Sequence, residues 1–195
     1  MKALATCLLL FGLCASANAA VVWDESVNGP LSRDVASPTL IVFSVGSNFI
    51  NGSVTNSAPV NEPQGQTNVR DVITFTVPPG HELTSLILHT WTGNNTGFSA
   101  INAGTTSMVP SAQTANFFLA GIHVMPTDAG SDLMDLFVTR PVIEGLGDSQ
   151  LDPGDYCYII QQESAVITQY SLEFIMTGPL ATQPSTWGSV KALYR

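Results

Sequence analysis

An all-β fold, an antiparallel two-sheet β-sandwich of jelly-roll type with about eight strands, is what the sequence predicts. Three observations carry it. Charged residues make up only 11% of the 195-residue chain, while 16 glycines and 12 prolines break it at short intervals. That is the punctuation of many short strands. Apolar and polar residues alternate most clearly near the end, with Tyr170, Leu172, Phe174 and Met176 on one face and Ser171 and Glu173 on the other. The same period of two points Ile73, Phe75 and Val77 inward and Thr74 and Thr76 outward. A sheet with one buried and one wet face is typically antiparallel. Finally, Val77-Pro78-Pro79-Gly80 and Leu151-Asp152-Pro153-Gly154 set proline before glycine, a sequence suited to reversing the chain between apolar segments.

The elements follow in chain order. Met1–Ala20 reads as a cleavable export signal: Lys2 precedes the apolar run Leu8-Leu9-Leu10-Phe11-Gly12-Leu13, and the small-residue box Ala17-Asn18-Ala19 sets cleavage beside Ala20. The apolar run is about half the ~20 residues that span a bilayer, so no membrane span is expected in the mature chain. A lipid anchor is disfavoured as well, because Leu13 stands before Cys14 where that route takes a small residue. The β-sandwich domain occupies residues 21–177, with strands expected at Thr39–Val45, Asn48–Val54, Asp71–Val77, Leu83–Thr90, Ala115–Val124, Met134–Thr139, Asp155–Gln162 and Gln169–Thr177. No helical period appears before the tail.

Residues 178–195 form a linker and a short basic, aromatic tail. Ser185 or Thr186 can cap a short helix there, with Trp187, Val190 and Tyr194 on one side. Lys191 and Arg195 add positive charge, and the ending Trp187, Lys191, Tyr194, Arg195 is a candidate sorting tail; the alternative is a terminus that docks on its own sandwich or frays.

Charge and cysteine content narrow the partners. The chain carries 6 Lys and Arg against 15 Asp and Glu; removing Lys2 with the signal leaves 5 against 15, a net charge of −10. A domain this acidic repels phosphate backbones and anionic headgroups, which disfavours nucleic acid and membrane surfaces as partners. Cys7 and Cys14 leave with the signal, so Cys157 remains alone and no internal disulfide can form. It lies in the apolar run Tyr156-Cys157-Tyr158-Ile159-Ile160 and reads as a buried hydrophobe.

No catalytic signature is present. His81, His89 and His123 show no metal-ligand spacing, and there is no Gly-x-Ser-x-Gly elbow or phosphate loop. The expectation is a protein that is not an enzyme and has no cofactor, with Ca²⁺ the one candidate. Calcium takes several hard oxygen ligands, and Asp128, Asp132 and Asp135 in one run and Asp148, Asp152 and Asp155 in another are the candidates; solvated turns are the alternative. For a ligand, Trp91 with Asn94 and Asn95 offers a ring and polar groups suited to a sugar, against core packing of the tryptophan.

A family resemblance rests on three stretches. Val22-Trp23-Asp24-Glu25-Ser26-Val27-Asn28-Gly29-Pro30-Leu31-Ser32-Arg33-Asp34 resembles the W-D-E-S-x-x-G-D-L-S opening of secreted bacterial β-sandwich proteins akin to the pre-peptidase C-terminal domain, a group often carrying PEP-type C-terminal sorting signals. The stretch from Arg70 to Leu83 is similar to that group's D-x-x-x-F-T-V-P-x-G-x-x-L segment, and Leu151–Gln162 with Tyr170–Phe174 to its closing strands. The resemblance implies a secreted β-sandwich. Pro30 and Val72 depart from the pattern where a calcium-related role is concerned, and Gln183-Pro184-Ser185-Thr186-Trp187 echoes the sorting signal without its hydrophobic helix. The function expected is a non-enzymatic exported domain of the cell surface or extracellular matrix, with extracellular polysaccharide or surface proteins as partners. A carbohydrate-binding module and a secreted hydrolase without a recognisable motif are the alternatives.

Overall fold

The computed structural model describes residues 19–55, 70–162 and 164–179. The export segment up to Asn18 and the tail with Trp187, Lys191, Tyr194 and Arg195 lie outside the described residues. Nine strands form two sheets packed as a sandwich: β1 (Ala20–Asp24), β2 (Thr39–Leu40), β3 (Gly46–Val54), β4 (Arg70–Val77), β5 (Glu82–Trp91), β6 (Gly97–Ala103), β7 (Ala120–Val124), β8 (Gly154–Gln162) and β9 (Thr168–Thr177). The four-stranded sheet runs β1-β3-β9-β5 and the five-stranded sheet β2-β4-β8-β6-β7.

The antiparallel pairs nest. β3 pairs with β9, β4 with β8 and β6 with β7, the order of a chain folded double and wound into a jelly roll. The missing pair is β5 with the segment before β8. There Leu88 N–H donates to the Ser131 carbonyl at 3.0 Å and Leu86 N–H to the Asp132 carboxylate at 3.0 Å, and the ladder stops after a single bridge. Instead of a strand, the chain turns into helix α2 (Leu133–Thr139), which packs beside β5.

This corrects the strand expected at Met134–Thr139. Alternation of Met134, Leu136 and Val138 fits a strand, but Asp132 caps a helix by accepting the Met134 N–H at 2.9 Å, and Leu133, Met134 and Phe137 are the buried residues. The helical spacing wins because the cap removes one orphan donor and the apolar stripe meets the core. A four-residue helix, α1 (Glu25–Asn28), follows β1 and is capped by Asp24 in the same way.

Other boundaries shift for physical reasons. Of the stretch Thr39–Val45, only Thr39–Leu40 joins a ladder, although Ile41 and Phe43 continue the alternation into the core. Ala115–Val124 splits into a 3₁₀ turn at Ala115–Phe117 and the strand β7. β6 shows no alternation because Gly97 through Asn102 are buried on both faces. The edge strands β1 and β2 pair in parallel, with β3 and β4 respectively, so each sheet is mixed at one edge and antiparallel at the other. The chain from β1 crosses to the other sheet for β2 before returning as β3, the long connection that parallel pairing needs.

The inter-sheet core holds Tyr170, Leu172, Phe174 and Met176 from β9 and Ile73, Phe75 and Val77 from β4, as alternation predicts. Phe174 lies at its centre, with ring centroids 4.7 Å from Phe43, 5.8 Å from Phe75 and 5.6 Å from Tyr158. The five-stranded sheet has a second apolar layer outside it, in which Val72, Phe98, Ala100, Phe118, Cys157 and Ile159 pack under Val35 and Ile143. Thr74 is therefore covered rather than wet, and its hydroxyl donates to the Tyr156 carbonyl at 3.0 Å. Cys157 is buried in this layer, and burial pushes its thiol up to about 12 despite the Ser107 hydrogen bond. An unreactive packing residue is the result.

Of the two expected turns, the first forms as read: Gly80 has φ 78° and His81 N–H donates to the Pro78 carbonyl at 3.0 Å, a type II arrangement. At the second, Leu151 bridges to Leu83 and Gly154 enters β8 directly, so the chain bends there without reversing.

Candidate ligand-binding face

The six aspartates proposed for calcium stand in different settings. Asp128 is buried, receives Arg140 at 2.7 and 3.1 Å, and accepts the Met125 N–H at 2.8 Å. Asp132 caps α2, and Asp135 is exposed in its first turn. Asp148 and Asp152 are exposed, while Asp155 accepts the Thr76 hydroxyl at 2.6 Å. Among the described residues, no three His, Cys, Asp or Glu side chains gather where they would hold a metal ion. Asp128 and Asp132 spend their carboxylates on an ion pair and on backbone N–H groups, whereas Asp135, Asp148 and Asp152 stand exposed on turns or a helix end, where Asp is common.

Trp91 is likewise spoken for. It is 5% exposed, packs in the inter-sheet core, and donates its indole N–H to the Asn95 carbonyl at 2.9 Å. Asn95 in turn donates to the Ser164 hydroxyl at 2.6 Å, and Asn94 is exposed. The buried ring offers no flat surface to a ligand, and Trp91 and Asn95 tie the loop together while Asn94 takes no part in that bond chain.

The open face lies elsewhere, on the outer side of the four-stranded sheet. A groove of about 640 Å³ crosses β3, β9 and β5, floored by Asn51, Ser53, Gln169, Ser171 and Thr90 and walled by the β1–α1 corner at Asp24, Glu25 and Pro30. That volume falls in the range of roughly 300–1,000 Å³ typical of small-ligand clefts. The corner is tied to β3 by its carboxylates. Glu25 accepts the Leu31 N–H at 2.9 Å and the Ser53 N–H at 2.8 Å, and Asp24 accepts from Asn51 at 3.3 Å. Hydrogen bonds from Ser26, then from Asn51, hold the Asp24 carboxyl below its usual range. The wall is thus preset, and the floor presents hydroxyls and amides.

Alternation places these floor residues outward, but it does not distinguish a groove from an ordinary wet face. The groove exists because β1 pairs in parallel and its helical corner rises beside β3, a long-range feature without a local signal.

Farther along the same face, Glu173 sits between β3 and β5. Its carboxylate is 2.6 Å from His89 Nε2. Burial pushes Glu173 upward, but hydrogen bonds from Ser47 and His89 and the histidine charge outweigh it and hold the carboxyl below its usual range. The His89 ring stands 5.3 Å from the Phe49 ring at 36°. Val21, opposite Phe49 on β1, is 61% exposed, and Ile87 and Ile175 are half-buried nearby. A polar groove therefore continues into an apolar strip.

Beneath the groove floor lies a buried acid. Asp71, 3% exposed, accepts the Tyr170 hydroxyl at 2.7 Å and so links the two sheets. Burial, reinforced by the Glu25 charge, lifts the Asp71 carboxyl well above its usual range; the Tyr170 hydrogen bond and Arg33 oppose this only in part. Burial, then Asp71, pushes the Tyr170 phenol well up too. Gly52 pairs with Tyr170, and a Cβ there would collide with the tyrosine hydroxyl, so the pair depends on a glycine above it.

Fold and face together define a jelly-roll β-sandwich with an open groove on its four-stranded sheet. Compared with protein families, curated proteins and solved structures, the chain finds no match. Among the described residues, no helix is long and apolar enough to cross a membrane.

Proposed function

We propose that the protein is an exported, non-enzymatic binding module of the cell surface or extracellular matrix that engages neutral polysaccharide. The groove across β3, β9 and β5 carries this reading. Its floor of short hydroxyl and amide side chains matches the donors and acceptors of a sugar chain; the wall carboxylates orient Asn51 and Ser53, and Thr90, Gln169 and Ser171 add uncharged groups beside them. The chain's net charge of −9 and the carboxylates in the wall repel uronate and phosphate polymers, which leaves uncharged glycans as the favoured class. The export signal read at Met1–Ala20 and the resemblance to secreted bacterial β-sandwich proteins support the extracellular setting.

The test is retention on immobilised neutral, uronate and amino polysaccharides. The wild type is expected to be retained by a neutral polymer and not by uronates. Ser171→Leu, which fills the groove from an outward position, is expected to weaken retention at least tenfold with an unchanged melting temperature. Wild-type protein that passes every neutral polymer, or a Ser171→Leu variant that binds as well as wild type, would overturn the reading.

A further inference from the structure

We infer that Phe49 and His89 form a stacking subsite for a sugar ring, continuing the groove along β3; the inference rests on the polysaccharide reading above. Register makes the continuity direct. Asn51 lines the groove opposite Ser171, and Phe49, two positions earlier on the same face, lies opposite Glu173. Two strand residues span about 7 Å, so the aromatic pair stands one step beyond the groove's end.

The chemistry of the two regions is complementary. A pyranose ring carries hydroxyls around its rim and C–H groups on its faces. The groove floor suits the rim. An aromatic face, negative at its centre, suits the C–H groups. Phe49 is half-buried on this outer face, where most outward residues are Ser, Thr, Asn and Gln, and its ring joins the apolar strip of Val21, Ile87 and Ile175 at the end of the groove.

The pair is also held in place before any ligand arrives. Glu173 is 8% exposed and grips His89 Nε2 at 2.6 Å, and it takes a further hydrogen bond from Ser47. The imidazole orientation is therefore fixed from below, and the Phe49 ring packs against it. A preset platform avoids the ordering cost that a mobile side chain would incur on binding. Glu173 is a positioning residue in this arrangement, since it acts through His89.

Calorimetric titration with neutral oligosaccharides of two to six units, from the series the wild type retains, tests the subsite. Wild-type affinity is expected to rise with chain length as the ligand reaches from groove to platform. Phe49→Ala and His89→Ala should each remove most of that gain, about tenfold for the longest oligomer, and leave the shortest oligomer's affinity within twofold. Phe49→Leu keeps apolar area without the aromatic face and should lose nearly as much as alanine. If the wild type binds no neutral oligosaccharide, the functional reading falls and the subsite with it. If the wild type binds but Phe49→Ala and His89→Ala keep the full length dependence, the subsite alone is overturned and the groove stands.

Discussion

Replacing Phe174 by alanine is expected to destabilise the protein by about 3–5 kcal/mol, the cost of removing a buried aromatic and leaving a cavity. Phe174 is fully buried on β9 of the four-stranded sheet and meets Phe75 on β4 and Tyr158 on β8 of the facing sheet, and Phe43 from the connection before β3. Closing that space would require the β4–β8 ladder and the Phe43 segment to move together toward β9. Against a typical domain stability of about 5–15 kcal/mol, the loss is a large fraction. Ile175→Ala, next in sequence but half-buried on the outer face, should cost less than about 1 kcal/mol. Urea unfolding of both variants makes the comparison, and equal losses would contradict the assignment of faces on β9.

The second large effect concerns pH. Asp71 is an acid whose carboxyl is lifted well above its usual range by burial and the nearby Glu25 charge. In the unfolded chain it titrates near 3.9. A raised folded value means that the stability contribution is complete below the unfolded value and is lost as pH rises through the folded one. Asp24 and Glu173, whose carboxyls are held low, contribute in the opposite sense. The difference between wild type and Asp71→Asn isolates the effect. Between those two values, the variant's stability relative to wild type should rise with pH by up to about 1.4 kcal/mol per unit.

Tyr170→Phe removes the hydrogen bond that partly stabilises the ionised acid, and should cost about 1–3 kcal/mol at neutral pH. A relative stability of Asp71→Asn that stays flat or falls as pH rises would show that Asp71 is not a buried, raised acid.

The residues that announce their place from sequence are those whose neighbours along the chain share their environment. β9 keeps one face toward the inter-sheet core, so Tyr170 through Met176 alternate visibly, and Ile73, Phe75 and Val77 of β4 alternate with polar Thr74 and Thr76 even though Thr74 is covered. β6 is covered on both sides and carries no alternation, and the helix at Leu133–Thr139 is short enough for its apolar residues to fit either period. Pro79-Gly80 marks a true turn because the required backbone geometry is local, whereas Pro153-Gly154 sits at a bend set by Leu151 bridging to Leu83.

Functional residues were less legible for the same reason. Aspartate clusters and a tryptophan beside Asn94 and Asn95 stand out in a linear reading, yet Asp128 is taken by Arg140, Asp132 by a helix cap and Trp91 by the core, and no three acidic side chains gather to hold a metal ion among the described residues. The groove draws Asp24, Asn51, Ser171 and Thr90 from four strands or their edges, and no pair of these is close enough in sequence to form a motif. Phe49 reads as one more apolar strand residue until register places it outward beside His89.

The central claim is that the outer face of the four-stranded sheet is where ligand binds. Backbone amide chemical-shift mapping, with a neutral oligosaccharide of four to six units titrated into the labelled protein, tests it most directly. Shifts concentrated at Phe49–Ser53, His89–Thr92 and Gln169–Glu173, with Val72, Cys157 and Ile159 of the opposite sheet unmoved, are the predicted result. Shifts centred on the five-stranded sheet or on the Asn94–Asn95 loop, or none at saturating ligand, would contradict it.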